Sequence, residues 1–160
     1  MTVPTQARNN TYPAGDIGTG RGSYVLLMHF PEEQTIAVGS LSPFRFPRGH
    51  YAYVGSALGG FRSRLNRHLR NEKKLHWHID YLLNYASLDA IITCETEERT
   101  ECAIARTLAR QFSSVPRFGA SDCRCRSHLF FSTDDMTPSV MSALETIGLE
   151  PRPKYTRGRP

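Results

Sequence analysis

The stretch FRSRLNRHL, from Phe61 to Leu69, combines helical spacing with two side chains that can act on phosphate. Arg64 and His68 are four residues apart, so on a helix they lie one turn apart on the same side. Arginine offers a rigid fork of N–H donors that fits phosphate oxygens, and histidine as a residue type exchanges a proton near neutral pH. The spacing favours phosphate chemistry, and a solvated face of arginines is the alternative.

The same segment carries an apolar stripe that places Arg64 and His68 at the rim of a core. Residues four apart on a helix share a face, and three apolar residues follow this spacing: Phe61, Leu65 and Leu69. The remaining arginines of the segment fall on other sides. We expect them to be solvated or to follow a nucleic-acid backbone: Arg62, Arg67 and Arg70.

A carboxylate on an apolar stripe is the second candidate. Glu101 shares a helical face with four apolar residues: Ile104, Ala105, Leu108 and Phe112. Such a group must be paired, hydrogen-bonded, bound to metal or placed at a helix end, because burying it alone costs several kcal/mol. A place in the first helical turn is the bland alternative. Because Glu97 and Glu98 already supply acidic charge there, the pattern favours a functional Glu101.

The cysteines support a rival interpretation. Cys123, Cys125 and His128 form a CxCxxH pattern, and Cys102 supplies a fourth ligand for a tetrahedral Zn²⁺ site. One intervening residue is tighter than the usual spacing, and small buried thiols are common in protein cores. We therefore expect reduced core thiols rather than zinc ligands.

The charge of the chain suits a partner rich in phosphates. Twenty Lys and Arg against fifteen Asp and Glu give a net charge of +5 in 160 residues. Four basic residues are candidate nucleic-acid contacts, with plain solvation as the alternative: Lys73, Lys74, Arg124 and Arg126. No segment approaches the length of a membrane span, so we expect a cytoplasmic protein with no membrane contact.

The elements that must position these side chains form a mixed pattern of strands and helices. Six segments have the pattern of strands: SYVLLMHF, TIAVGS, FRF, HYAYVG, LDAIITCE and SHLFF. Four helices are expected: one at FRSRLNRHLR, and others beginning near Leu75, near Glu97 and at Pro138. This order predicts an α+β fold with a small, mainly antiparallel sheet flanked by helices. We expect a disordered leader at 1–21, one domain at 22–132, and a short helix with a basic tail at 133–160.

Several of these residues occur in an order that resembles the GIY-YIG nucleases. Gly22-Ser23-Tyr24 is similar to the first motif of that family, with serine as the middle residue, and Tyr53-Val54-Gly55 is similar to the second. Arg64 and His68 match its helix arginine and the residue four later, and Glu101 matches its metal-binding glutamate. The stretches KKLHWHIDYLL and SDCRCRSHLF resemble the Uri-type endonuclease subfamily.

The resemblance covers residues 22–131, and the chain departs from the family pattern in two respects. The tyrosines are further apart than the short hairpin of the family allows, so residues 31–50 are expected to form an inserted hairpin that returns Tyr53 to Tyr24. The family's C-terminal asparagine has no clear counterpart, although Ser121 and Asp122 fall in that region.

The resemblance implies a metal-dependent endonuclease that hydrolyses phosphodiester bonds, with DNA favoured as the substrate and RNA as the alternative. It implies one Mg²⁺ (or Mn²⁺) on Glu101, a phosphate held by Arg64, and an attacking water oriented by Tyr24 or Tyr53. A free phenol has a pKa near 10 and needs a cationic or metal neighbour to act as a base. Three histidines compete for a share of that role: His68, His76 and His78. The alternatives are a non-catalytic nucleic-acid-binding module and a zinc-stabilised interaction domain.

Overall fold

A computed structural model describes residues 20–38, 43–69, 78–116, 118, 125 and 127–155. Eight strands and four helices occur in these ranges: β1 (Gly22–Phe30), β2 (Gln34–Ile36), β3 (Phe44–Phe46), β4 (Gly49–Ala57), α1 (Phe61–Leu69), α2 (His78–Leu83), β5 (Ser87–Glu95), α3 (Glu101–Ala109), β6 (Ser113–Ser114), β7 (Leu129–Ser132), α4 (Thr137–Thr146) and β8 (Pro151–Tyr155). No helix among them is long and apolar enough to cross a membrane.

Six strands form one sheet in the order β6-β7-β4-β1-β5-β8, and every described pairing in it is antiparallel. The central strand β1 is buried along almost its whole length, because both of its faces are covered. An apolar run without alternation is typical of such a strand. The predicted α+β class with a mainly antiparallel sheet is confirmed.

Successive side chains of β1 enter two separate cores. Tyr24 and Leu26 pack in the first core together with Phe61 and Leu65 of α1. Val25 and Leu27 pack in the second core, which holds apolar residues of α3 and α4. Because side chains alternate across a strand, the sheet itself separates α1 and α2 from α3 and α4.

The inserted hairpin expected between the two tyrosines is confirmed. β2 and β3 pair with each other as a small second sheet between β1 and β4. β4 then returns antiparallel to β1, with Tyr24 opposite Gly55 and Leu26 opposite Tyr53. The two phenols therefore project from neighbouring strands on the same face.

Two elements depart from the sequence pattern. Helix α3 begins at Glu101 rather than near Glu97, so Glu97 and Glu98 precede the helix and supply no charge to its first turn. The tail after α4 forms β8, which pairs with β5 at one edge of the large sheet. Pro151 and Pro153 fit there because an edge strand leaves one row of N–H positions unused. The expected helix beginning at Pro138 is present as α4, whose apolar face belongs to the second core.

Candidate active site

Tyr24 and His68 form a buried hydrogen-bonded pair beneath α1. The Tyr24 hydroxyl lies 2.6 Å from His68 Nε2, and the tautomer of His68 decides which of the two atoms donates. Tyr24 is 1% exposed and His68 is 4% exposed. The bond joins the central strand to the last turn of α1, 44 residues later in the chain, so it fixes the orientation of both rings.

Tyr53 and Arg64 complete this cluster and bring it to the surface. The Tyr53 ring stands edge-on to His68, with ring centroids 6.5 Å apart. Arg64 lies one turn before His68 on α1, and its guanidinium lowers the pKa of the Tyr24 phenol. Both Tyr53 and Arg64 are partly exposed. We call Tyr24, Tyr53, Arg64 and His68 the phenol cluster.

Burial controls the acidity of both phenols. It raises the pKa of Tyr24 well above its usual value, and it raises the pKa of Tyr53 to about 12. The positive charge of Arg64 lowers both pKa values, but the loss of hydration outweighs it. The phenols are therefore protonated at neutral pH, which suits them as hydrogen-bond donors rather than as bases.

A buried ion pair fastens α1 to α2 beside the phenol cluster. Arg67 donates two hydrogen bonds to the Asp80 carboxylate, Nη1 to Oδ1 at 2.7 Å and Nη2 to Oδ2 at 2.8 Å. Asp80 is completely buried, whereas the Arg67 side chain is 21% exposed. The expectation that Arg67 is a solvated arginine is therefore wrong, because its partner comes from the next helix. The negative charge of Asp80 also raises the pKa of both phenols.

Close contacts with neighbouring atoms explain why glycine occupies one position in each of the two short motifs. Gly55 lies opposite Tyr24, and a Cβ at this position would overlap the phenol ring and its hydroxyl. Gly22 has φ +153°, and a Cβ there would meet the carbonyl oxygen of Cys94 on β5. Glycine at these positions leaves space for the Tyr24 ring beside β4 and lets β1 approach β5.

Glu101 lies on the other face of the sheet. The middle residue of the first motif, Ser23, points away from Tyr24, and its Oγ lies 2.6 Å from Thr100 Oγ1 just before α3. Helix α3 packs in the second core, and the negative charge of Glu101 acts on His128 rather than on the phenols. The structure therefore does not bring Glu101 to Arg64, although the resemblance gives both residues a role at the same phosphate. The alternative, that Glu101 lies in the first turn of its helix, is confirmed, since Glu101 is the first residue of α3.

Among the described residues, the phenol cluster has no carboxylate suited to a hydrated metal ion. Asp80 is completely buried and both of its oxygens accept from Arg67. Mg²⁺ is normally bound by one or two accessible carboxylates that leave room for several waters. The Mg²⁺ ligand implied by the resemblance thus does not fit this cluster.

A second cluster of reactive side chains occupies the face that carries Glu101. The metal-ligating atoms of Cys102, Cys125 and His128 all lie within 4.8 Å of one another. Burial lowers the pKa of His128, although the charge of Glu101 opposes this shift. The neutral imidazole that results is the form that binds transition metals. We call Cys102, Cys125 and His128 the thiol cluster.

Several predicted site residues lie outside the described residues, so the structure places none of them: Lys73, Lys74, His76, Cys123, Arg124 and Arg126. His78 is the first residue of α2, and burial lowers its pKa. Its ring packs against the Phe118 ring, with the two ring centroids 5.5 Å apart. Phe118 also contacts the Tyr53 ring, at 6.3 Å, so His78 lies near the edge of the phenol cluster.

Asp80 was missed by sequence reasoning, although a signal existed. It falls among Ile79, Leu82 and Leu83 on the buried side of α2, where an isolated carboxylate requires a partner. The same argument that singled out Glu101 would have found it.

The fold and both clusters define an α+β domain whose sheet carries a Tyr-His-Arg cluster on one face and a Cys-His cluster on the other. The chain belongs to the family described as "Domain of unknown function DUF123", whose model matches residues 23–149. That range extends from β1 past the end of α4. Comparison with curated proteins found no match, and comparison with solved structures found none.

Proposed function

We propose that the protein is a nuclease that hydrolyses phosphodiester bonds at the phenol cluster, with DNA as the favoured substrate and RNA as the alternative. The observation that carries the proposal is the hydrogen-bonded pair of Tyr24 and His68 next to Arg64, assembled from two distant parts of the chain. The resemblance of the two tyrosine motifs to the GIY-YIG nucleases, and within them to Uri-type endonucleases, supports it, as does the net charge of +5.

Each residue of the cluster has a role that follows from its chemistry. Arg64 is partly exposed and offers its guanidinium to the scissile phosphate, where it stabilises the charge that builds on the phosphoryl oxygens. Tyr53 is also partly exposed and, because it stays protonated, donates to a phosphate or leaving oxygen. His68 takes a proton from the attacking water and returns one to the leaving oxygen as its P–O bond breaks, while Tyr24 holds the imidazole ring in place.

No step of this mechanism is assigned to a metal ion. Glu101, the implied Mg²⁺ ligand, lies across the sheet from Arg64 and acts on His128 instead. The requirement for Mg²⁺ or Mn²⁺ is therefore a matter for assay, in which each ion is added to protein treated with a chelator.

The test is cleavage of a panel of single-stranded, flapped and branched DNAs. We expect Arg64→Ala to reduce the cleavage rate by about 100- to 1,000-fold, as for removal of a group that stabilises transition-state charge. Arg62→Ala is the matched control, because Arg62 lies on the same helix and is exposed, and its variant should cleave at the wild-type rate. Equal rates for the two variants would contradict the assignment.

A non-catalytic nucleic-acid-binding module is the second candidate. Two observations favour it: Tyr24 and His68 are almost completely buried, and the described part of the cluster offers no carboxylate for a metal. In this case the protein binds DNA without cutting it. Binding should then weaken steeply with salt, and Arg64→Ala should lower the slope of log K against log salt by about 0.9 for duplex DNA.

A further inference from the structure

The thiol cluster has the ligand types and the ligand spacing of a zinc site. Cys102 is the second residue of α3, Cys125 lies 23 residues later, and His128 directly precedes β7. Folding brings their ligand atoms within 4.8 Å of one another. In a tetrahedral zinc site, Zn–S bonds of about 2.3 Å and Zn–N bonds of about 2.0 Å place the ligand atoms about 3.5–3.8 Å apart. Their ligand atoms need to approach each other by at most about 1.3 Å, which is within the range of small side-chain rotations.

The surroundings of the cluster supply negative charge that calls for a cation. Glu101 is adjacent to Cys102 in sequence, and its charge acts on His128. Its Oε2 atom is buried and has no hydrogen-bond partner among the described residues. A buried carboxylate oxygen in this state is costly unless a cation or a donor lies nearby. A divalent ion held by the two thiolates and the imidazole would be balanced in charge by the thiolates, and it would place a cation next to this carboxylate.

Two backbone hydrogen bonds fix the main chain at His128. The His128 carbonyl oxygen accepts from Val54 N at 2.9 Å, and His128 N donates to the Phe118 carbonyl oxygen at 2.8 Å. His128 is 6% exposed. One ligand is therefore fixed on the sheet, and a second, Cys102, is fixed on α3.

The cluster also borders a cavity of about 440 Å³. Cys102 and Cys125 line this cavity together with Arg106, Ser114 and Ser127. The three ligands within the described residues leave one position of a tetrahedral ion, and a site beside a cavity has room for water or a small anion there.

We propose that Cys102, Cys125 and His128 bind one Zn²⁺ ion, which ties the start of α3 to the strand pair β4 and β7. This zinc site is independent of the proposed nuclease activity, since the phenol cluster lies on the opposite face of the sheet. Softness favours zinc: two thiolates and an imidazole select Zn²⁺ over Mg²⁺, which prefers oxygen ligands.

The experiment measures metal in the full chain purified without an affinity tag that binds metal. We expect one Zn²⁺ per chain by elemental analysis. After removal with a chelator, one equivalent of Co²⁺ should bind and produce the absorption bands of thiolate ligation, and added Zn²⁺ should displace it. Protein that contains no zinc and binds neither ion would overturn the proposal, as would a Cys102–Cys125 disulfide in protein purified under reducing conditions.

Variants separate ligands from other buried thiols. Cys102→Ser and His128→Gln should each lose the bound zinc, whereas Cys94→Ala should retain it, because Cys94 is buried in β5 and is not part of the cluster. The Co²⁺ titration of the wild-type protein keeps the test decisive if a ligand variant does not fold. Equal zinc loss in Cys94→Ala and Cys102→Ser would refute the assignment of the ligands. Cleavage of DNA plays no part in these readouts, so failure here leaves the nuclease proposal untouched.

Discussion

The ion pair between Arg67 and Asp80 should be the most costly polar contact to break near the phenol cluster. Arg67→Met removes the two guanidinium donors and the positive charge that face the completely buried Asp80 carboxylate. Removing one member of a buried pair costs about 3–5 kcal/mol of the free energy of unfolding. At about 2–4 °C per kcal/mol for a chain of this size, we expect the melting temperature to fall by about 6–20 °C.

Two further variants locate the origin of this cost. Asp80→Asn leaves Arg67 with a weaker acceptor, but the Arg67 side chain is 21% exposed and can reach water, so we expect a loss of about 1–3 kcal/mol. The double change Arg67→Met with Asp80→Leu removes both charges and should cost less than Arg67→Met alone, since an apolar pair needs no partner. The two single costs are therefore not expected to add.

An exposed ion pair in the same chain is the control. Arg45 contacts Glu33 at 2.8 Å, but their side chains are 74% and 48% exposed. Arg45→Met should cost at most about 1 kcal/mol, because water screens both charges. Urea denaturation followed by circular dichroism measures all the variants. If Arg67→Met costs no more than Arg45→Met, the reasoning from burial is refuted.

Two other predictions concern the phenols. Gly55→Ala should lower the free energy of unfolding by about 1–3 kcal/mol in urea denaturation, because the new methyl group displaces the Tyr24 ring. Gly59→Ala is the control and should be close to neutral, because a Cβ at that position meets open space. Similar costs at both positions would argue against close packing of Tyr24 on Gly55. Tyr53 has a folded-state pKa of about 12 against a usual value of 10, so the stability that its protonated phenol contributes is complete below pH 10 and is lost as the pH rises from 10 to about 12. Tyr53→Phe should reduce this alkaline loss in melting curves, and Tyr155→Phe, at an exposed position, should not.

Local patterns in the sequence were sufficient for the main elements. The apolar run of β1, the stripe on α1 and the return of β4 after a hairpin follow from side-chain periodicity and turn residues, and all are present. The pairing of positions 64 and 68 on one side of a helix also follows from spacing alone. Strand β8 was not predicted, because its two prolines are typical of loops. The prolines are tolerated because this strand lies at an edge of the sheet.

The composition of each cluster depended on contacts that no local pattern contains. Arg67 has the same spacing signal as a solvated arginine, and only the packing of α2 supplies Asp80 as its partner. Glu101 has the same signal as a catalytic carboxylate, yet the packing of α3 on the second core directs it towards His128.

The sequence by itself determined which residue types are available, their helical and strand periods, and hence the α+β class and the pairing of Arg64 with His68. Only the tertiary structure decided that the tyrosines join that pair and that the glutamate joins the thiols. The physical reason is that periodicity defines the faces of one element, whereas the side of the sheet on which a helix packs depends on the burial of all its apolar neighbours together.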